Sequence, residues 1–165
     1  MNQTKTNCTR RQILVAASGL WAASERALAT PGKAARILIM GDSLSAEYGL
    51  ARGTGWVALL QSRLQEQGMG AEVINASISG ETTSGGMTRL PPLLKQHRPT
   101  HVVIELGAND ALRGLPLKST RANLQAMIEA CKQIGAKVLL IGMMVPPNYG
   151  KRYTDDFQAM FPDLA

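Results

Sequence analysis

Three residues, widely spaced in the chain, are of types that could do chemistry together. Ser43 follows the apolar run ILIM and a Gly-Asp pair, Gly80 sits in the loop ASISGETTSGG, and Asn109 belongs to Gly-Ala-Asn-Asp after THVVIEL. Each alone is an ordinary turn residue. Together, in order at three successive strand ends, they are the set that acyl transfer requires. A serine hydroxyl attacks a carbonyl, and donors aimed at the resulting oxyanion lower the barrier by roughly 3 to 4 kcal/mol apiece. The candidate donors are the Ser43 N–H, the Gly80 N–H and the Asn109 side-chain amide. Glycine at position 80 leaves its amide open to a substrate.

The elements that must bring these residues together are legible as alternating strands and helices from residue 34 onward. ARILIM, AEVINAS, THVVIEL (Thr100 to Leu106) and AKVLLIG are short apolar runs without strict alternation, as expected of strands covered on both faces. Between them, GWVALLQSRLQEQG places Trp56, Leu59, Leu60 and Leu64 on one helical face, with Gly68 as the stop. GGMTRLPPLLKQH predicts a helix kinked or broken at Pro91 and Pro92. STRANLQAMIEACKQIG predicts an amphipathic helix capped by Ser119 or Thr120 and ended by Gly135. The loop MMVPPNYG and a last helix around Tyr153 to Leu164 follow. Cys131 is in helical register with Leu124, Met127, Ile128 and Ile134, which predicts a core position. The expected class is α/β, a parallel sheet between helical layers, and such sheets carry their functional loops at the carboxyl ends of the strands.

The stretches IMGDSLSAEYGL, VINASISGETT, VVIELGANDALRG and VPPNYGKRY resemble the first three conserved blocks and the substrate loop of the GDSL or SGNH hydrolases. The likeness runs from about Arg36 to Ala165 and is greatest to the multifunctional thioesterase, lysophospholipase and arylesterase branch. It implies a three-layer α/β/α sandwich with a flavodoxin-like sheet. It implies Ser43 as nucleophile, with Ser43, Gly80 and Asn109 as the oxyanion hole, and Asp42 ordering the turn. Pro146, Asn148 and Tyr149 would help bind the acyl group, with Met143 and Met144 beside them. Neither metal nor organic cofactor is implied. The partner would be a small-molecule ester or thioester with an acyl chain or aryl group, acted on by a monomer.

The same resemblance implies a general-base histidine and its carboxylate in a D-x-x-H block, which FQAMFPDLA does not contain. The expectation is that the natural protein carries this block, with a further strand and helix, beyond Ala165. His97 and His101 fall at the amino end of the third strand, away from Ser43, and do not read as the base. The competing expectation is an inactive fragment, or a relative that binds acyl chains or lipids without cleaving them.

Residues 1–29 read as an export signal: Lys5, Arg10 and Arg11, an apolar ILVAASGLWAA too short to span a bilayer, and Ala27-Leu28-Ala29 as a small-x-small cleavage site. Arg10-Arg11 also admits twin-arginine export. Residues 30–165 are then the hydrolase domain, periplasmic or secreted, with no stable membrane insertion. The signal holds four of the 18 basic and one of the 12 acidic residues, which leaves a net charge of about +3. With no basic run and little aromatic interleaving, nucleic acid is excluded as a partner. Removal of Cys8 leaves Cys131 alone, which excludes a disulfide framework. A flavin or nucleotide binder is disfavoured because neither G-x-G-x-x-G nor a P-loop occurs. The G-x-S-x-G elbow would need glycine where Ser45 stands.

Overall fold

The computed structural model describes residues 34–165. Four strands form one parallel sheet: β1 (Arg36–Gly41), β2 (Glu72–Asn75), β3 (His101–Glu105) and β4 (Lys137–Leu140). Their spatial order is β2-β1-β3-β4, so β1 is central and the chain reverses direction of travel at its carboxyl end. Five α-helices complete the described residues: α1 (Trp56–Glu66), α2 (Thr83–His97), α3 (Ala108–Leu112), α4 (Leu117–Gln133) and α5 (Lys151–Leu164).

Strand geometry divides the core in two, because alternate side chains point to opposite faces. Leu38, Met40, Val102 and Ile104 face the larger cluster, built with Leu90, Leu94, Leu124, Met127, Cys131, Phe157 and Phe161 from α2, α4 and α5. Ile39 and Val103 face the smaller one, with Val57 and Trp56 from α1. The result is the three-layer α/β/α sandwich expected from the sequence. Each fully buried Leu or Ile contributes about 1.5–3 kcal/mol over leaving it in water, so the larger cluster dominates the drive to fold. Cys131 is buried within it, and burial pushes its thiol up to about 11.

Several local expectations are corrected. Helix α2 runs unbroken through Pro91 and Pro92. Both prolines lie on its exposed side, where carbonyls deprived of their helical partners meet water. Helix α4 begins at Leu117 after Pro116, earlier than the expected Ser119 or Thr120 cap, because Ser119 and Thr120 already donate their N–H groups to the Pro116 carbonyl. The buried face of α1 is also turned from the one expected. Leu59 is 58 % exposed and Val57 is buried, because Gln61 faces β2, donating to Ala71 O and accepting from Val73 N. Among the described residues, no helix is long and apolar enough to cross a membrane.

Candidate active site

The carboxyl ends of β1, β2 and β3 lie side by side, and the loops leaving them are stitched together by hydrogen bonds. Ile78 N–H donates to Gly41 O at 3.1 Å, which draws the loop after β2 against the end of β1. The chain then turns at Asp42 to Glu47. The Asp42 carbonyl accepts from Ser45 and Ala46, and Asp42 Oδ1 accepts from Leu44 N at 3.0 Å, an Asx turn that closes around Ser43. Ser43 itself is half-buried at the rim.

Asp42 is only 1 % exposed. Its second oxygen accepts from Asn109 Nδ2 at 2.9 Å, joining the Ser43 turn to the start of α3. Asn109 Nδ2 also donates to Glu81 O at 3.0 Å, the residue after Gly80. One amide therefore ties the three loops together. Burial raises the Asp42 carboxyl above the ordinary aspartate range, opposed by the hydrogen bond from Leu44 N–H.

Gly80 has φ of +77°, in the left-handed region that glycine occupies without strain. Its carbonyl accepts from Arg113 at 2.9 Å, which orients the peptide. Among the described residues, neither the Ser43 N–H nor the Gly80 N–H donates to another group. Both are thus available to an anionic oxygen. The Asn109 amide is available only by sharing or releasing one of its two bonds.

Around these residues stand others that the sequence reading passed over. Glu105, the last residue of β3, is 4 % exposed, and its Oε2 accepts from Ser45 Oγ at 2.6 Å and from Asp42 N at 3.3 Å. Burial raises its carboxyl, and the nearby Asp42 carboxylate adds to the shift. Asp110 is buried beside Asn109 and accepts from the Thr83 N–H and hydroxyl, fixing the start of α2. The signal for both was present: a carboxylate inside the otherwise apolar VVIEL, and another directly after the candidate asparagine.

The residues expected to bind substrate separate. Met143 and Met144 line a cavity of about 430 Å³ with Leu44, Trp56, Ile141 and the edge of Glu105. Pro146, Asn148 and Tyr149 are exposed and outside it; the Tyr149 hydroxyl donates to Leu112 O at 3.4 Å. His97 ends α2 and His101 opens β3, both at the opposite end of the sheet from Ser43. The expected export signal lies outside the described residues. Among those described, no three His, Cys, Asp or Glu side chains group to hold a metal.

A buried polar network under a serine, at the crevice of a parallel α/β sandwich, defines the class of protein. This chain belongs to the GDSL-like lipase/acylhydrolase family, whose model matches residues 39–165. It is 50 % identical over 129 residues to esterase TesA of Pseudomonas aeruginosa, covering 78 % of this chain and 64 % of that protein. It is 52 % identical over 130 residues to an arylesterase of Vibrio mimicus, covering 79 % and 65 %. Among solved structures it is similar to the psychrotrophic esterase EstA from Pseudoalteromonas, in a form inhibited by monoethylphosphonate. The TM-score is 0.76 and the identity 48 %, over 78 % of this chain and 70 % of that one. The chain thus spans about two thirds of the length of the curated relatives it matches.

Proposed function

We propose that this chain carries the nucleophile and oxyanion hole of a serine hydrolase acting on carboxylic esters or thioesters. The observation that carries the reading is the Asp42–Asn109–Glu81 hydrogen-bond bridge. It gathers the turn of Ser43, the peptide of Gly80 and the amide of Asn109 at one end of the sheet, with the Ser43 and Gly80 N–H groups free.

In the first half-reaction, Ser43 Oγ forms a bond to the carbonyl carbon and gives its proton to a general base. The carbonyl oxygen takes the negative charge and is held by the N–H groups of Ser43 and Gly80 and by the Asn109 amide. Collapse expels the alcohol or thiol, which leaves with that proton, and forms an acyl-Ser43. Water, deprotonated by the same base, then cleaves the acyl-enzyme. The family resemblance implies a histidine of a D-x-x-H block as that base, and His97 and His101 lie at the far end of the sheet. The relatives named esterase and arylesterase support esters as the substrate class. The cavity beside Met143 and Met144, about 430 Å³ and mostly apolar, suits a short acyl chain or an aryl ring. Export to the periplasm after cleavage at Ala29 makes lipid or aryl esters the more fitting natural class than acyl-CoA.

Fluorophosphonate labelling of the natural full-length protein tests this, and the EstA structure inhibited by monoethylphosphonate supports the choice of reagent. Labelling of Ser43 that disappears in Ser43→Ala is expected. No labelling of the natural protein, with fluorescent acyl chains still bound, would establish the binding-protein alternative instead. Amino-terminal sequencing from a periplasmic extract tests the export reading, with Thr30 expected as the first residue.

A further inference from the structure

We propose that Glu105 is a positioning residue for the nucleophile turn, fixing Ser43 by gripping the residues that flank it. The proposal rests on the reading of Ser43 as nucleophile. Glu105 Oε2 accepts the Asp42 N–H at 3.3 Å on one side of Ser43 and the Ser45 hydroxyl at 2.6 Å on the other. Ser45 is held in turn by the Trp56 indole N–H, which donates to its Oγ at 3.1 Å, and by Asn75 Nδ2, which donates to its carbonyl at 2.8 Å. The turn is therefore gripped from the ends of β2 and β3 and from the start of α1, while Ser43 makes none of these bonds and stays free to react.

Two observations separate this role from simple filling of the core. Burying a carboxylate is costly unless it is paired. Glu105 Oε1 is buried without a hydrogen-bond partner, and no Lys or Arg is bridged to Glu105, among the described residues. Every hydrogen bond that compensates the burial thus comes from the nucleophile turn. A side chain serving packing alone would be apolar, as Ile104 and Leu106 on either side are. The second observation is Gly41. A Cβ there would stand 2.6 Å from Ser45 Oγ and 2.7 Å from Glu105 Oε2, so glycine is what admits the carboxylate beneath the turn.

The test uses the natural full-length protein, with kcat and KM on an aryl ester and the rate of fluorophosphonate inactivation, all measured well below the melting temperature of each variant. Glu105→Ala is expected to lower kcat and the inactivation rate by roughly ten- to a hundredfold, the cost of a loosened nucleophile, with KM within about twofold. Glu105→Gln, whose amide oxygen accepts both donors, is expected to keep kcat within about threefold. Ser45→Ala, which removes only one of the two bonds, should fall between them.

Glu105→Ala with a lower melting temperature but unchanged kcat and inactivation rate would overturn the proposal and leave a structural residue. Glu105→Gln as damaging as Glu105→Ala would also overturn it, because the charge and not the grip would then matter. If Glu105→Ala does not fold, Ser45→Ala at the wild-type rate is the overturning result. A wild-type protein that the phosphonate fails to label would remove the serine hydrolase reading and this one together, whereas the variant results bear on Glu105 alone.

Discussion

The two ends of the sheet differ in a way that cavity size would misjudge. At the amino end lies the larger hollow, about 700 Å³, lined by Leu94, Lys95, Arg98 and Ile134 among others. Its polar groups are ordinary surface ones: Lys95 and Arg98 are exposed, and the Thr100 hydroxyl donates to the Arg36 carbonyl. At the carboxyl end the cavity is smaller, about 430 Å³, but Asp42, Ser45, Glu105 and Asp110 are all buried and bonded to one another's loops. Buried carboxylates cost free energy that a stable fold has no need to spend. Where they converge around free backbone N–H groups, function and not packing accounts for them.

The most severe break of this contrast is Ser43→Ala, which removes one half-buried hydroxyl at the rim and disturbs none of the buried network. Activity is expected to fall by roughly four to six orders of magnitude with little change in melting temperature. A loss below about a hundredfold in ester turnover would mean that the carboxyl end is a scaffold and the nucleophile lies elsewhere. Asn109→Ala comes next. It deletes the proposed oxyanion donor and the bridge from Asp42 to Glu81 O, so kcat should drop roughly a hundred- to a thousandfold. Here stability should fall too, since Asp42 Oδ2 loses its partner while buried, at about 1–3 kcal/mol in chemical denaturation.

The layers of the fold were legible because each short apolar run and each helix carried its own period, and the order of strand ends placed Ser43, Gly80 and Asn109 in neighbouring loops. What was not legible followed from partners distant in sequence. The unbroken α2 depends on Pro91 and Pro92 facing water, and the rotated face of α1 depends on Gln61 meeting the edge strand β2. Glu105 read as one more residue of the third strand because its partners, Asp42 and Ser45, lie some 60 residues earlier. The engagement of both Asn109 hydrogens by Asp42 and Glu81 O was likewise invisible, because a motif gives residue types and not the direction in which an amide points.

A subtler probe of the same contrast is pH. Glu105 has its carboxyl raised from 4.5, first by burial and then by repulsion from Asp42, the titratable group beside it. A raised folded-state acid favours folding in its protonated form, so its contribution is fully present below 4.5 and is lost as pH rises through the raised value. Glu105→Gln imitates the protonated form at every pH. The wild type should therefore gain melting temperature relative to Glu105→Gln as pH falls from neutral toward 4.5. A difference that is flat over that window would show that the buried carboxyl is not strained by its charge, and the cost argued for the carboxyl end would shrink accordingly.

The smallest effect is expected at the other end. His97 closes α2 and His101 opens β3, where His101 Nδ1 lies 2.9 Å from the Thr100 hydroxyl. Strand β3 separates His101 from the end that carries Glu105 and Asn109, too far for a proton to pass directly from Ser43. His97→Asn and His101→Asn should each leave kcat/KM within about twofold, since a change of that size is under half a kcal/mol in the barrier. A loss of a hundredfold or more in either variant, with the fold intact, would put a catalytic base at the amino end. It would also erase the distinction between the two ends, because the base would then have to reach Ser43 across the length of the sheet.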